Sequence, residues 1–188
     1  MPLVGTFAGA SARAYGLGAG VKEIDGLELI TSQSFTSVSS VTFNNCFSND
    51  YIQYKIVIDA SGTTLAGINF QFRASGSTYT SANYRYQTLK FENGAPVASR
   101  ATGQTNWQNA LGVVASSRGF ICGLEIMNPF QTMNASGQAI QFYNDGTQQL
   151  ENRSFGITVT DSFDGFVGTA SSGNMTGNMY VYGFSKGV

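Results

Sequence analysis

The chain has 188 residues, of which 11% are charged; ten Lys and Arg face eleven Asp and Glu for a net charge of −1, there is no histidine, and 14 Phe and 9 Tyr accompany 23 Gly. That length suits one domain with its own core. So few charges exclude a coiled coil, so many aromatics exclude a disordered chain, and charges scattered singly leave no basic face for nucleic acid or an anionic membrane.

Residues 1–26, MPLVGTFAGASARAYGLGAGVKEIDG, hold six Gly and five Ala with no helical or strand period. Such a segment has too little apolar side-chain area to offset the entropy of ordering its backbone. It reads as an extended N-terminal arm that gains order against neighbouring chains. No Lys or Arg precedes Arg13, and Gly5 and Gly9 interrupt the apolar stretch, so it makes a poor signal peptide. No run is long enough to span a bilayer, and synthesis in a cytoplasm is expected. GLGAG at 16–20 lacks the preceding strand and following helix of a phosphate loop.

From Leu27 onward short runs alternate apolar and polar residues between Gly, Ser, Asn and Asp. Strands are expected at residues 27–33, 38–43, 51–60, 68–74, 83–91, 111–115, 119–127, 139–143, 155–160 and 177–184. In YIQYKIVIDA, Ile52, Tyr54, Ile56 and Ile58 share one face; in the fourth run Ile68, Phe70, Phe72 and Ala74 alternate strictly with Asn69, Gln71 and Arg73. SGSTYTSA, at 75–82, reads as a loop projecting into solvent or a partner. Pro129 ends the run before it, since it donates no ladder hydrogen bond. In the last run both faces are apolar, Met179 and Val181 against Tyr180, Tyr182 and Phe184, which places it centrally or at a subunit seam. This number and spacing, without helical patterns between, predict an all-β fold: an antiparallel β-sandwich, jelly-roll-like, spanning residues 27–188 as a single head.

Chemistry is sparse. Without histidine the chain lacks the usual general base near neutral pH, the commonest metal ligand and any Ser/His or Cys/His nucleophile. Glu125 lies in an apolar run but reads as solvent-facing. Asp145 and Glu151, or Asp161 and Asp164, lack calcium-loop spacing, and the NDG around Asp145 is a turn signal in its own right. Neither a metal nor a cofactor nor catalysis is expected. Cys46 and Cys122 sit in apolar runs and read as two free buried thiols rather than a disulfide. Tyr79 in SGSTYTSA and Trp107 in GQTNWQN are candidate ligand or interface contacts, because flat rings on loops suit sugar stacking; Trp107 folding back onto its own core is an equal alternative.

The arm GASARAYGLGAG, LELITSQSFTSVSSVTF at 27–43, YIQYKIVIDA and FRASGSTYTSANYRYQ at 72–87 together resemble small structural proteins of tailed bacteriophages. The resemblance implies a non-enzymatic virion component with a β-sandwich head, commonly a homotrimer: a short tail-fibre or tail-tip protein for host attachment, with a capsid-decoration protein as the alternative. A carbohydrate-binding module is the second alternative. It implies that residues 1–26 hold other virion proteins, with Phe7, Arg13, Tyr15 and Leu17 as anchoring contacts, and that the head meets a host surface glycan or receptor. Neither nucleic-acid binding nor membrane insertion is expected, and weak surface charge agrees with self-association.

Overall fold

The computed structural model describes residues 26–64, 66–92, 94–114, 120–144 and 148–185. Within them lie β1 (Leu27–Val38), β2 (Ser40–Phe43), β3 (Tyr51–Gly62), β4 (Ala66–Ala74), β5 (Ser77–Thr78), β6 (Tyr84–Glu92), β7 (Ala95–Gln104), β8 (Val113–Val114), β9 (Phe120–Met127), β10 (Ser136–Asn144), β11 (Gln148–Ile157), β12 (Gly165–Ala170) and β13 (Met175–Ser185). The anchoring candidates Phe7, Arg13, Tyr15 and Leu17 lie outside the described residues.

Two antiparallel sheets form the sandwich. The larger runs β1-β13-β3-β9-β10-β11-β6-β7; the smaller runs β2-β12-β4-β5, with β8 also pairing with β4. Chain order against sheet order identifies a jelly roll: β1-β13-β3-β9 faces β2-β12-β4-β8, and the chain crosses from one sheet to the other between β1 and β2, β3 and β4, β8 and β9, and β12 and β13. Two insertions elaborate it. Strands β6 and β7 enter between β4 and β8, β10 and β11 between β9 and β12, and β6 pairs with β11 from Tyr84↔Ile157 to Glu92↔Gln149. The insertions thereby widen one sheet from four strands to eight.

Alternation places the core. Tyr54, Ile56 and Ile58 of β3, Leu124 and Ile126 of β9, and Met179 and Val181 of β13 meet Ile68, Phe70 and Phe72 of β4 and Phe166 of β12, all fully buried. The interface is aromatic: Phe72 stacks on Phe163 at 4.5 Å between ring centroids, and Phe166 stacks on Phe43 at 4.9 Å and Phe70 at 5.1 Å. Gly165 lets β12 enter close to β2, because a Cβ there would lie 2.2 Å from the Phe43 carbonyl oxygen.

The small sheet reaches under only the near ends of the inserted strands, where the Tyr84 hydroxyl accepts from Phe72 N at 2.9 Å; farther along, it does not cover them. Their inner side carries Thr88, Gln141, Glu151 and Arg153, all buried, and residues 105–112 cover it. Arg153 Nη2 pairs with Glu151 Oε1 at 2.7 Å, Arg153 Nη1 donates to the Gln108 carbonyl at 2.9 Å, and Gln141 Nε2 donates to the Asn109 carbonyl at 3.1 Å. This reverses the usual alternation in β11, where Glu151 and Arg153 point inward and Leu150 outward. Hence the sequence pattern marks only the end of β11. It also misses β5, β7 and β12: β7 is exposed along almost its whole length and β12 buried along its whole length, so neither alternates.

Because a buried carboxylate without its counter-charge is costly, Arg153→Met is expected to destabilise the protein by about 3–5 kcal/mol in urea denaturation, and the double change Glu151→Leu with Arg153→Met to recover only part of that, because the Gln108 carbonyl still lacks its donor. Cys46 and Cys122 are free and buried, and burial pushes both thiols from an ordinary 9.0 up to about 12, against a lowering by Arg153 at Cys122 and by a backbone hydrogen bond at Cys46. The folded state holds these protons while the unfolded chain gives them up. The resulting stabilisation is complete below about pH 9 and disappears as pH rises to about 12. Denaturation midpoints should therefore fall across that window, and a flat profile would contradict the burial.

Candidate functional site

The outer face of the large sheet has no second layer over it among the described residues. Registers across all its strands bring one side chain from each into a single row: Leu29, Tyr182, Lys55, Glu125, Gln138, Ser154, Gln87 and Arg100. Directly opposed residues share a face. At a strand spacing of about 4.8 Å the row is roughly 33 Å long. Beside it runs Val57, Gly123, Ile140, Asn152, Leu89 and Ala98, and on the other side Gln53, Met127, Ser136, Gly156 and Arg85.

Hollows follow the row. One of 580 Å³ is lined by Gln87, Leu89, Arg100, Asn152 and Ser154, and one of 380 Å³ by Arg85, Gln87, Arg100, Thr102, Ser154 and Gly156. A third, of 180 Å³, lies between Gln53, Glu125, Ser136, Gln138 and Ser154, and a fourth, of 280 Å³, around Lys55, Gly123, Gln138 and Ile140. The first three share Ser154. They form a shallow trough that crosses the strands instead of following them.

The two halves of the trough differ in chemistry. Toward β1 and β13, Tyr180 and Tyr182 stack at 6.5 Å beside exposed Leu27 and Leu29. In the middle, Lys55 Nζ lies 4.0 Å from Glu125 Oε1, and Gln138 Nε2 donates to Glu125 Oε2 at 3.3 Å, so the central charges compensate each other. At the inserted end Arg85 and Arg100 are exposed and have no carboxylate partner among the described residues. Around them stand the amides of Gln87 and Asn152 and the hydroxyl of Ser154, beside the apolar Leu89 and Ala98. Guanidinium forks pair bidentately with planar oxyanions, and amides and hydroxyls both donate and accept, so the surface is equipped for recognition. Among the described residues no three His, Cys, Asp or Glu gather as a metal site.

The sequence candidates fall elsewhere. Trp107 is fully buried, stacked between Phe70 at 5.1 Å and Phe155 at 5.2 Å, with Nε1 donating to the Gly156 carbonyl at 2.9 Å. As a surface contact it is corrected: a large ring with one polar atom found both an apolar slot and an acceptor. Tyr79 is half-buried against Phe163 at 5.3 Å, and its hydroxyl accepts from Asn83 Nδ2 at 2.7 Å. Its loop does not project freely, because Tyr79 N bonds the Phe72 carbonyl and β5 pairs with β4. Glu125 faces outward as expected. Asp145 lies outside the described residues, and Asp164 accepts from Ser75 N at 2.9 Å.

Sequence reasoning passed over Arg85, Gln87, Arg100, Asn152 and Ser154. The signal for the first two was the alternation YRYQ, with Tyr84 and Tyr86 inward, but a polar strand face looks the same whether or not it binds anything. Comparison with known proteins gives no matching family model, no matching curated protein and no matching solved structure.

The trough lies on the scaffold without holding it together, whereas Trp107 is part of the scaffold. Arg100→Ala and Ser154→Ala should each change stability by no more than about 0.5 kcal/mol, while Trp107→Ala should cost about 3–5 kcal/mol. Thermal melts of the three variants check this.

Proposed function

We propose that the protein is a non-enzymatic structural component of a bacteriophage virion, a short tail-fibre or other host-attachment protein. Residues 1–26 join it to the particle and the open face of the large sheet contacts a glycan of the host envelope. The trough is the observation that carries this reading. It is a broad recognition surface on rigid strands, assembled from amide, hydroxyl, guanidinium and phenol groups, as ligand-orienting sites require. The likeness of the arm and the first half of the head to small virion proteins supports the particle context. Self-association into a homotrimer is part of the reading: β1 and β7, the two edges of the large sheet, run for 12 and 10 residues and are largely exposed, and such edges invite pairing with another chain.

Among the described residues the hydrophobic core runs from Phe35 to Val181, and the head is expected to keep it when residues 1–26 are removed. Particles assembled with the truncated protein are expected to lack it, while the truncated head stays folded, sediments as an oligomer and adheres to host cells. Normal incorporation of the truncated chain would refute the docking role. Adherence to empty capsids and not to cells would mark a decoration protein, and a glycan-binding monomer would mark a free carbohydrate-binding module.

A further inference from the structure

Arg85 and Arg100 are diagonal neighbours on the outer face of β6 and β7. Gln87 stands directly opposite Arg100, and Arg85 faces a bulge in β7 formed around Gly103, whose φ is +67°. Bulges re-aim neighbouring side chains and recur beside binding sites. Two guanidiniums on neighbouring strands concentrate positive charge at this end of the face, and an anion between them would relieve their mutual repulsion. Neither has an acidic partner among the described residues. Around them the hollows of 580 and 380 Å³ share Gln87, Arg100 and Ser154, and Ser154 also lines the adjoining 180 Å³ hollow at Ser136 and Gln138.

Resting on the host-attachment reading, we infer that this end of the trough binds a carboxylate-bearing polysaccharide, with Arg85 and Arg100 on its carboxylates and Gln87, Asn152 and Ser154 on its hydroxyls. Three observations select that ligand. The positive charge is confined to two forks, whose geometry matches a planar carboxylate. The intervening groups are neutral, and the polar ones among them, Gln87, Asn152 and Ser154, can both donate and accept, which fits hydroxyls better than further anions, while Leu89 and Ala98 offer apolar surface to a sugar ring. The hollows adjoin one another across strands, which fits a chain and not a single small anion. A nucleic acid would require cations along a phosphate at every step and aromatic faces for its bases, and the lining of these hollows has neither a long basic run nor a stacked ring platform at its inserted end.

Gly156 offers a blocking variant. A side chain added there would point into the 380 Å³ hollow and meet nothing within 4 Å, and its carbonyl would still accept from Trp107. The test is affinity electrophoresis of the full chain through gels containing polygalacturonate, hyaluronate or polysialate, with neutral dextran and sulfated dextran as controls. Retardation by at least one carboxylated polymer, absent in neutral dextran and weaker in sulfated dextran, is expected. Arg85→Ala and Arg100→Ala should each weaken it about tenfold or more, the order for a lost hydrogen bond to a charged group, and Gly156→Trp should abolish it with melting temperatures unchanged. Mobility unaltered in every carboxylated gel, equal retardation in neutral or sulfated dextran, or arginine variants that bind like the parent would each overturn the inference. Host-cell adhesion is scored in parallel. If the double arginine variant still adheres, the carboxylate site falls and the attachment reading stands; if the parent binds acidic polymers but not cells, the reverse holds.

Discussion

Trp107 is the contact on which the two parts of the molecule depend. Its backbone pairs with Phe70 of the small sheet in both directions, at 2.9 and 3.0 Å, while its indole lies on Phe155 and donates to Gly156, both in an inserted strand of the large sheet. It thus joins the jelly-roll core to the addition that widens it, beside Tyr84 of β6, whose hydroxyl accepts from Phe72 N at 2.9 Å. A buried tryptophan needs both an apolar slot and an acceptor for its N–H. The slot exists because Gly137 presents no side chain: a Cβ there would come within 3.3 Å of Trp107 Cζ3 and 2.8 Å of the Glu125 carbonyl oxygen. With the Gly156 carbonyl turned inward to the indole, the opposite side of that residue becomes the floor of an outer hollow. Core packing and site geometry are therefore set by the same ring.

Widening a sheet without widening its partner creates a physical problem, and the inserted strands show one solution. Beyond the reach of the small sheet their inner face is closed by residues 105–112, whose inward-facing carbonyls require donors beneath them. Arg153 and Gln141 supply these, and Glu151 balances the arginine. Apolar residues in those positions would have left the Gln108 and Asn109 carbonyls unsatisfied. Polar groups are thereby drawn inward, and Leu89, Phe91, Leu150 and Ile140 take up outward positions at the margin of the trough. The exposed apolar residues there follow from the way the inner face is closed.

This also explains which parts of the fold are legible in the sequence. Where strands lie between water and the main core, as β3 and β4 do, alternation of Ile and Phe with Gln, Asn and Lys reveals the face, the sheet class and the core residues, and the apolar settings of Cys46 and Cys122 reveal free thiols. Where a strand is exposed on both sides, as β7 is, or buried on both, as β12 is, no alternation exists to be read. Where the inner face is polar, at Glu151 and Arg153, alternation has the wrong sign. The trough is invisible for a further reason: Lys55, Glu125, Gln138, Ser154, Gln87 and Arg100 come from six separated strands, and only the register of the pairs joins them. Trp107 is ambiguous for the opposite reason, since its polar neighbours Asn106 and Gln108 suggest a surface loop although the ring itself is enclosed.

A site built across strands has different properties from one built on loops. Its backbone positions are fixed at the strand spacing by the ladder, so little backbone ordering entropy remains to oppose binding. The same geometry limits strength. The trough is shallow and two unpaired guanidiniums provide most of its charge, so under the proposed reading the affinity of one head would be modest and would fall with salt. A single head therefore suits reversible contact, and firm attachment under the proposed reading requires several heads on one particle, each raising the effective concentration for the next. The low overall charge is consistent with that economy: at a net charge of −1, neighbouring heads do not strongly repel each other, and the local positive end of each trough stays free to meet an acidic surface.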